Sequence, residues 1–142
     1  MFDLDRFVLA QADTYATALA ELRAGRKRSH WMWFVFPQLK GLGSSVMAQR
    51  YGLAGLAEAR AYLTHPLLGP RLLECVQALL AHAGPSAEQM LGGIDALKLR
   101  SCLTLFARAT PDVAPFGAAL QRFFNGEPDP LTERLLAGAD GA

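Results

Sequence analysis

Between Arg26 and Gly43 the chain reads RKRSHWMWFVFPQLKGLG, and this stretch concentrates side chains suited to recognition. Arg26, Lys27, Arg28 and Lys40 supply cationic donors of the kind that hold a phosphate. Trp31 and Trp33, the only tryptophans, offer flat faces on which a nucleobase can stack. Gly41 and Gly43 let backbone approach a ligand closely, and His30 is the one weak candidate for a proton carrier. The same residues admit a plainer reading, with solvated basic side chains, core aromatics and a histidine satisfied by a backbone carbonyl. No Gly-Lys-Ser/Thr phosphate loop and no GxGxxG fingerprint after a strand occurs, so the pattern carries no fixed motif grammar.

A second constellation is DALKLRSCLTLFA, residues 95–107. On a helix Lys98, Ser101 and Cys102 share one side, while Arg100, Thr104 and Arg108 share another. An ammonium in a largely apolar helix needs a partner, either an anionic ligand or a structural acid such as Asp95. Catalytic grammar is sparse. His30, His65 and His82 have no HExxH or CxxC partner, so no metal is expected, and no cofactor either. Cys102 reads as a small hydrophobe. Neither a Ser/His/Asp order, nor a GxSxG elbow, nor a diagnostic carboxylate pair is present.

The elements that must position these residues are helical. The chain has 24 Ala and 24 Leu against one Ile, five Val and six Thr, a balance that favours helices over strands. Leu4, Phe7, Val8, Tyr15, Leu19 and Leu22 predict one amphipathic helix over residues 4–24, closed by Gly25. The six apolar residues Trp31 to Phe36 fit a short buried helix or an extended piece ahead of Pro37. Ser44 is expected to cap a short helix ending at Tyr51 with Gly52 as its stop, and residues 55–64 form another. A further helix carries Leu72, Val76, Leu79 and Leu80, and Ser86 with Gln89 makes a capping box. Residues 94–108, apolar on more than one face, read as the central helix. Val113 to Phe124 form the next, and Asp129 with Pro130 opens the last. Short connections imply a single all-α domain over residues 1–142.

Charge narrows the function classes. The net charge is only +1, yet Leu22 to Ala57 contains six basic residues and no acid. A local anion site fits that layout better than a nucleic-acid surface, which needs several phosphate contacts. Asp3, Asp5 and Arg6 interrupt any signal-peptide pattern, and Ser29 to Leu39 is far too short to span a bilayer. Cys75 and Cys102 read as free thiols. A cytoplasmic protein without a membrane partner is expected.

The string HWMWFVFPQLKGLG, following ELRAGRKRS, resembles a widespread, mostly bacterial family known as domain of unknown function 1810, whose members often carry the label calpastatin. The resemblance spans roughly residues 4–136 and includes RFVLAQ, EARAYL, HPLLGPRLLE, LKLRSCLTLF and FFNGEPDPLTERLL. It implies an all-helical fold and no established activity. The segments that carry it contain Gln11, Lys27, His30, Trp31, Trp33, Gln38, Lys98, Ser101 and Thr104, polar and aromatic residues on three elements that could converge on one pocket. Where the family tends to have two hydroxyls before TLF, this chain has Ser101 and Cys102, which puts any ligand bond from the second hydroxyl in doubt. The calpastatin label fails on physics, because calpain-inhibitor repeats are polar and disordered whereas this chain is 51% hydrophobic.

The expected function is therefore binding of, or action on, a small phosphorylated or nucleotide-like ligand at a basic-aromatic site. Its expected members are Arg26, Lys27, His30, Trp31, Trp33, Gln38, Lys40, Lys98 and Ser101. The alternative is an interaction module without catalysis, whose basic-aromatic patch docks an acidic protein.

Overall fold

From Ser101 to Phe106 every side chain is buried, so this stretch can exist only as a helix surrounded by other helices. The structure, a computed structural model, describes the backbone over residues 2–141 and side-chain surroundings through residue 138. Its helices are α1 (Asp5–Ala12), α2 (Tyr15–Ala24), α3 (Met32–Val35), α4 (Val46–Tyr51), α5 (Leu56–Thr64), α6 (Leu68–Leu80), α7 (Ala87–Leu91), α8 (Gly93–Ala109), α9 (Ala114–Phe124) and α10 (Pro130–Gly141). The all-α architecture expected from composition is what forms. α8 is the central rod, with α5, α7, α9 and α10 packed on it, and α6 bridges α2, α5 and α9. α1 lies on α3, which in turn meets α4. Among the described residues no strand forms, and none of the helices is long and apolar enough to cross a membrane.

Three local expectations need correcting. Residues 4–24 form two helices, because the Thr14 hydroxyl donates to the Ala10 carbonyl (2.7 Å) and its backbone leaves helical geometry. Threonine hydroxyls compete in this way with helix propagation, and the break frees α1 to pack on α3 while α2 packs on α6. The cap of α4 is Ser45, not Ser44; its hydroxyl accepts from the Ala48 amide at 3.1 Å. Gly52 does follow α4, but in extended conformation. A Cβ there would come within 2.8 Å of the Lys40 Cα, so glycine permits the close approach of two backbones.

Other caps form as the spacing predicts. Ser86 and Gln89 make both halves of the capping box, and the Asp129 carboxylate accepts from the Thr132 amide at 2.9 Å at the start of α10. In the central helix, however, Ile94 and Leu97 are 75% and 64% exposed. Only the C-terminal two-thirds of α8 is enclosed; its first turns face a depression on the surface.

Candidate functional site

The basic segment after α2 is ordered by one carboxylate. Gly25 closes α2 in the left-handed region (φ 76°), which turns the chain back over the helix end. Glu21 then accepts from the Arg28 amide (2.8 Å), the Ser29 amide (3.0 Å), the Ser29 hydroxyl (2.6 Å) and the Trp31 indole N–H (2.9 Å). Burial pushes the Glu21 carboxyl upward, but the donors from Ser29, Arg28 and Trp31 outweigh it and hold the group at about 2. The Lys27 amide is tied to the Met90 carbonyl at 2.8 Å, which docks the segment on α7.

The two tryptophans then diverge. Trp31 is the residue before α3 and Trp33 its second member, and two helical steps rotate a side chain by about 200°. Trp31 is 1% exposed and packs in the core beside Phe36, while Trp33 is half-buried at the surface depression. Each carries a lysine. Lys27 Nζ lies 5.2 Å from the Trp31 ring centre and Lys98 Nζ lies 4.5 Å from that of Trp33. Asp95 joins the two, 2.8 Å from Lys27 and 3.4 Å from Lys98. The acid that sequence offered as a structural partner for Lys98 does pair with it. The pair is nonetheless not sealed in the core, since the Lys98 side chain keeps 24% exposure against 9% for Lys27.

Two clefts meet at this point. The larger, of about 650 Å³, is lined among others by Trp33, Leu39, Met47, Tyr51, Leu97 and Leu131, with Gln38, Ser44, Ser45, Lys98, Ser101 and Asp129 among its polar members. The smaller, of about 380 Å³, includes Lys27, His30, Gly92, Gly93 and Asp95. Trp33, Ile94 and Lys98 line both, so the clefts adjoin at one cation and one aromatic ring.

Each wall is held from behind. Gln11 is buried and donates to the Phe34 carbonyl at 2.7 Å, fixing α3 and with it Trp33. The Lys40 amide donates to the Leu53 carbonyl (2.7 Å) and the Leu53 amide to the Gln38 carbonyl (2.9 Å), an isolated parallel bridge that sets Gln38 and Leu39. Arg6 ties the end of α4 to α5, donating to the Gly52 carbonyl (3.1 Å) and pairing with Glu58 (3.0 Å). Opposite, the Thr104 hydroxyl donates to the Arg100 carbonyl and accepts from the Asp129 amide, both at 2.8 Å. The Arg100 guanidinium donates to the Glu127 and Pro128 carbonyls at 3.0 and 2.9 Å. The turn that carries Asp129 is thus fastened to α8.

Of the nine residues expected at the site, the structure brings together Lys27, His30, Trp33, Gln38, Lys98 and Ser101 along the adjoining clefts. Trp31 faces the core, and Arg26 and Lys40 are exposed and line neither cleft. Arg26 stays on the surface while the Lys27 amide docks on α7, and the Leu39–Leu53 bridge holds the Lys40 backbone with its side chain in solvent. Gln11 and Thr104 act behind the walls, as positioning residues. Sequence reasoning missed Asp129 as a cleft residue, having read it as a helix cap. It is both, and its cap bonds to the Thr132 amide and hydroxyl fall on the same oxygen, Oδ2. It also missed the apolar wall of Met47, Tyr51 and Leu131, the last of which read as part of the final helix's apolar face.

The remaining reactive groups are quiet. Cys75 and Cys102 are buried free thiols; burial pushes Cys75 up to about 12 and Cys102 well above its ordinary value. His82 contacts the Leu22 carbonyl at 2.8 Å, the role sequence had entertained for His30, and His65 Nδ1 accepts from the Leu67 amide at 3.1 Å. Among the described residues no group of three or more His, Cys, Asp or Glu side chains could hold a metal ion.

No curated protein matches the chain. A solved structure does: the conserved hypothetical protein Rv1873 from Mycobacterium tuberculosis is 57% identical, covers 96% of this chain and 97% of its own, and superposes with a TM-score of 0.95. The family DUF1810, described as proteins of unknown function, matches residues 1–136. With nearly its whole length matched, the chain belongs to the DUF1810 family.

Proposed function

We propose that the protein binds a small phosphorylated or nucleotide-like ligand in the adjoining clefts. One observation carries the reading: Lys98 and Trp33 stand on the wall shared by a roomy, mostly apolar cleft and a smaller one bearing Lys27 and His30. A ligand with a ring and an anionic group has complementary surfaces there, and about 650 Å³ falls within the ordinary range for small-molecule sites. Lys27 and Lys98 hold the anion. Trp33 and the apolar wall take the ring, with Gln38 and Ser101 as orienting polar groups. No reaction is assigned; His30, on the smaller cleft, is the available proton carrier. The reading includes a cytoplasmic setting and no nucleic-acid partner, given a net charge of +1.

The test is a thermal-shift and NMR titration with nucleotides and other phosphorylated, base-containing metabolites. Stabilisation that Lys98→Ala and Trp33→Ala abolish, with the fold preserved, is the expected result. No shift by any of them at millimolar concentration overturns the reading.

The exposed Ile94, Leu97 and Leu131 favour a second reading, a docking surface for another protein, since apolar residues gathered on one rim often mark an interface. Ile94→Ser with Leu97→Ser would then abolish capture of a protein partner, and no phosphorylated metabolite would shift the melting temperature of the unaltered protein.

A further inference from the structure

The groove has an order of charge along α8 that specifies both ends of its ligand. The cationic end is built by Lys27 and Lys98, bridged by Asp95 at 2.8 and 3.4 Å, so that the cluster presents a single net positive charge. That balance suits one phosphate or carboxylate group better than a polyphosphate chain. The other end carries Asp129, fastened at the level of Thr104 by the 2.8 Å bond from its amide. Lys98 and Thr104 are six positions apart on α8, about 9 Å of helix rise, more than a bare inorganic anion can bridge. Ser101 lies between them in sequence and lines the groove together with the apolar side chains Leu97 and Met47. The Asp129 carboxylate spends Oδ2 on the Thr132 amide (2.9 Å) and hydroxyl (2.6 Å). The cap bonds leave Oδ1 unused, and among the described residues Asp129 enters no ion pair.

We infer that the groove takes an extended, two-ended ligand: a phosphomonoester at Lys27 and Lys98 whose far end is a ring bearing hydroxyl or amino donors that Asp129 accepts. A nucleoside monophosphate has this layout. The inference rests on the ligand-binding reading above and adds Asp129 as its specificity-determining residue. An ionised carboxylate rewards donors and repels a second anion, so phosphates at both ends are disfavoured.

Calorimetric titration of the full chain with AMP and with 1-naphthyl phosphate, which has a phosphate and a ring but no far-end donors, tests it. The expected result is AMP binding about tenfold tighter, with Asp129→Asn bringing AMP to the naphthyl phosphate level and leaving the latter unchanged. Asparagine keeps a cap acceptor, and the wild-type ratio alone decides the matter if the variant does not fold. Equal binding of the two compounds, or an AMP preference that survives Asp129→Asn, overturns this inference and leaves the anion site standing. Binding of neither compound at millimolar concentration overturns this inference, and the panel of metabolites above decides the ligand-binding reading.

Discussion

Trp31 and Trp33 are two residues apart, each is covered by a lysine, and both lysines share Asp95, yet the surroundings of the two rings differ in kind. Around Trp31 the ring itself is closed off from solvent. Its indole N–H donates to Glu21, and Lys27 is nearly enclosed. Around Trp33 the packing stops halfway, so Lys98 and the exposed turns of α8 border open clefts. The same residue types thus close a core on one side of α3 and frame a site on the other. What separates them is whether neighbouring elements meet over the ring, which α2 and its loop do for Trp31.

The sharpest way to break the comparison is truncation. Trp31→Ala should cost about 3–5 kcal/mol, the loss typical of a large buried aromatic, whereas Trp33→Ala should cost about 1–2 kcal/mol. Urea denaturation reads both, and equal losses would erase the distinction. Next in size, Glu21→Ala should cost about 2–3 kcal/mol, because it strands the donors that order the segment before α3. Glu21 also makes stability depend on pH. Its folded value of about 2 lies below the ordinary 4.5, so its contribution is complete above that ordinary value and fades as pH falls toward 2. Acid titration of the melting temperature should show that loss in the wild type and a flatter profile in Glu21→Gln.

Asp95→Asn tests the link between the two regions. It leaves Lys27 and Lys98 unneutralised and should cost about 1–2 kcal/mol at low ionic strength, partly recovered by salt. Lys98→Ala, at the more exposed end, should cost less than about 1 kcal/mol. A larger loss for Lys98→Ala than for Asp95→Asn would make the open cluster structural. The smallest effect is spectroscopic. In Trp33→Phe the remaining Trp31 fluorescence should resist acrylamide, and in Trp31→Phe that of Trp33 should be quenched.

Much of the scaffold was legible in the sequence because its signals are local. The Ser86–Gln89 box, the Asp129 cap and the apolar run of α8 each act within one or two turns of helix, where spacing determines contact. The break at Thr14 escaped notice because a continuous apolar stripe outweighs one hydroxyl on paper but not in the chain. The site was only half legible. Lys98, Trp33 and Ser101 stood out by type, but Arg26 and Lys40 were grouped with them through closeness in sequence, and the backbone there is placed by bonds to distant segments, from Lys27 to Met90 and from Lys40 to Leu53.

By itself the sequence determined an Ala- and Leu-rich helical domain, a central helix apolar on more than one face, and a basic-aromatic block set apart from the acids. Only the tertiary structure decided which tryptophan is core and which borders the clefts, that Asp95 joins the two lysines, and that Asp129 and Lys98 line one cleft. Periodicity reports which face of a helix is apolar. Whether a partner covers that face depends on where distant segments stop, and for the first turns of α8 they stop short, leaving Ile94 and Leu97 at the edge of the clefts.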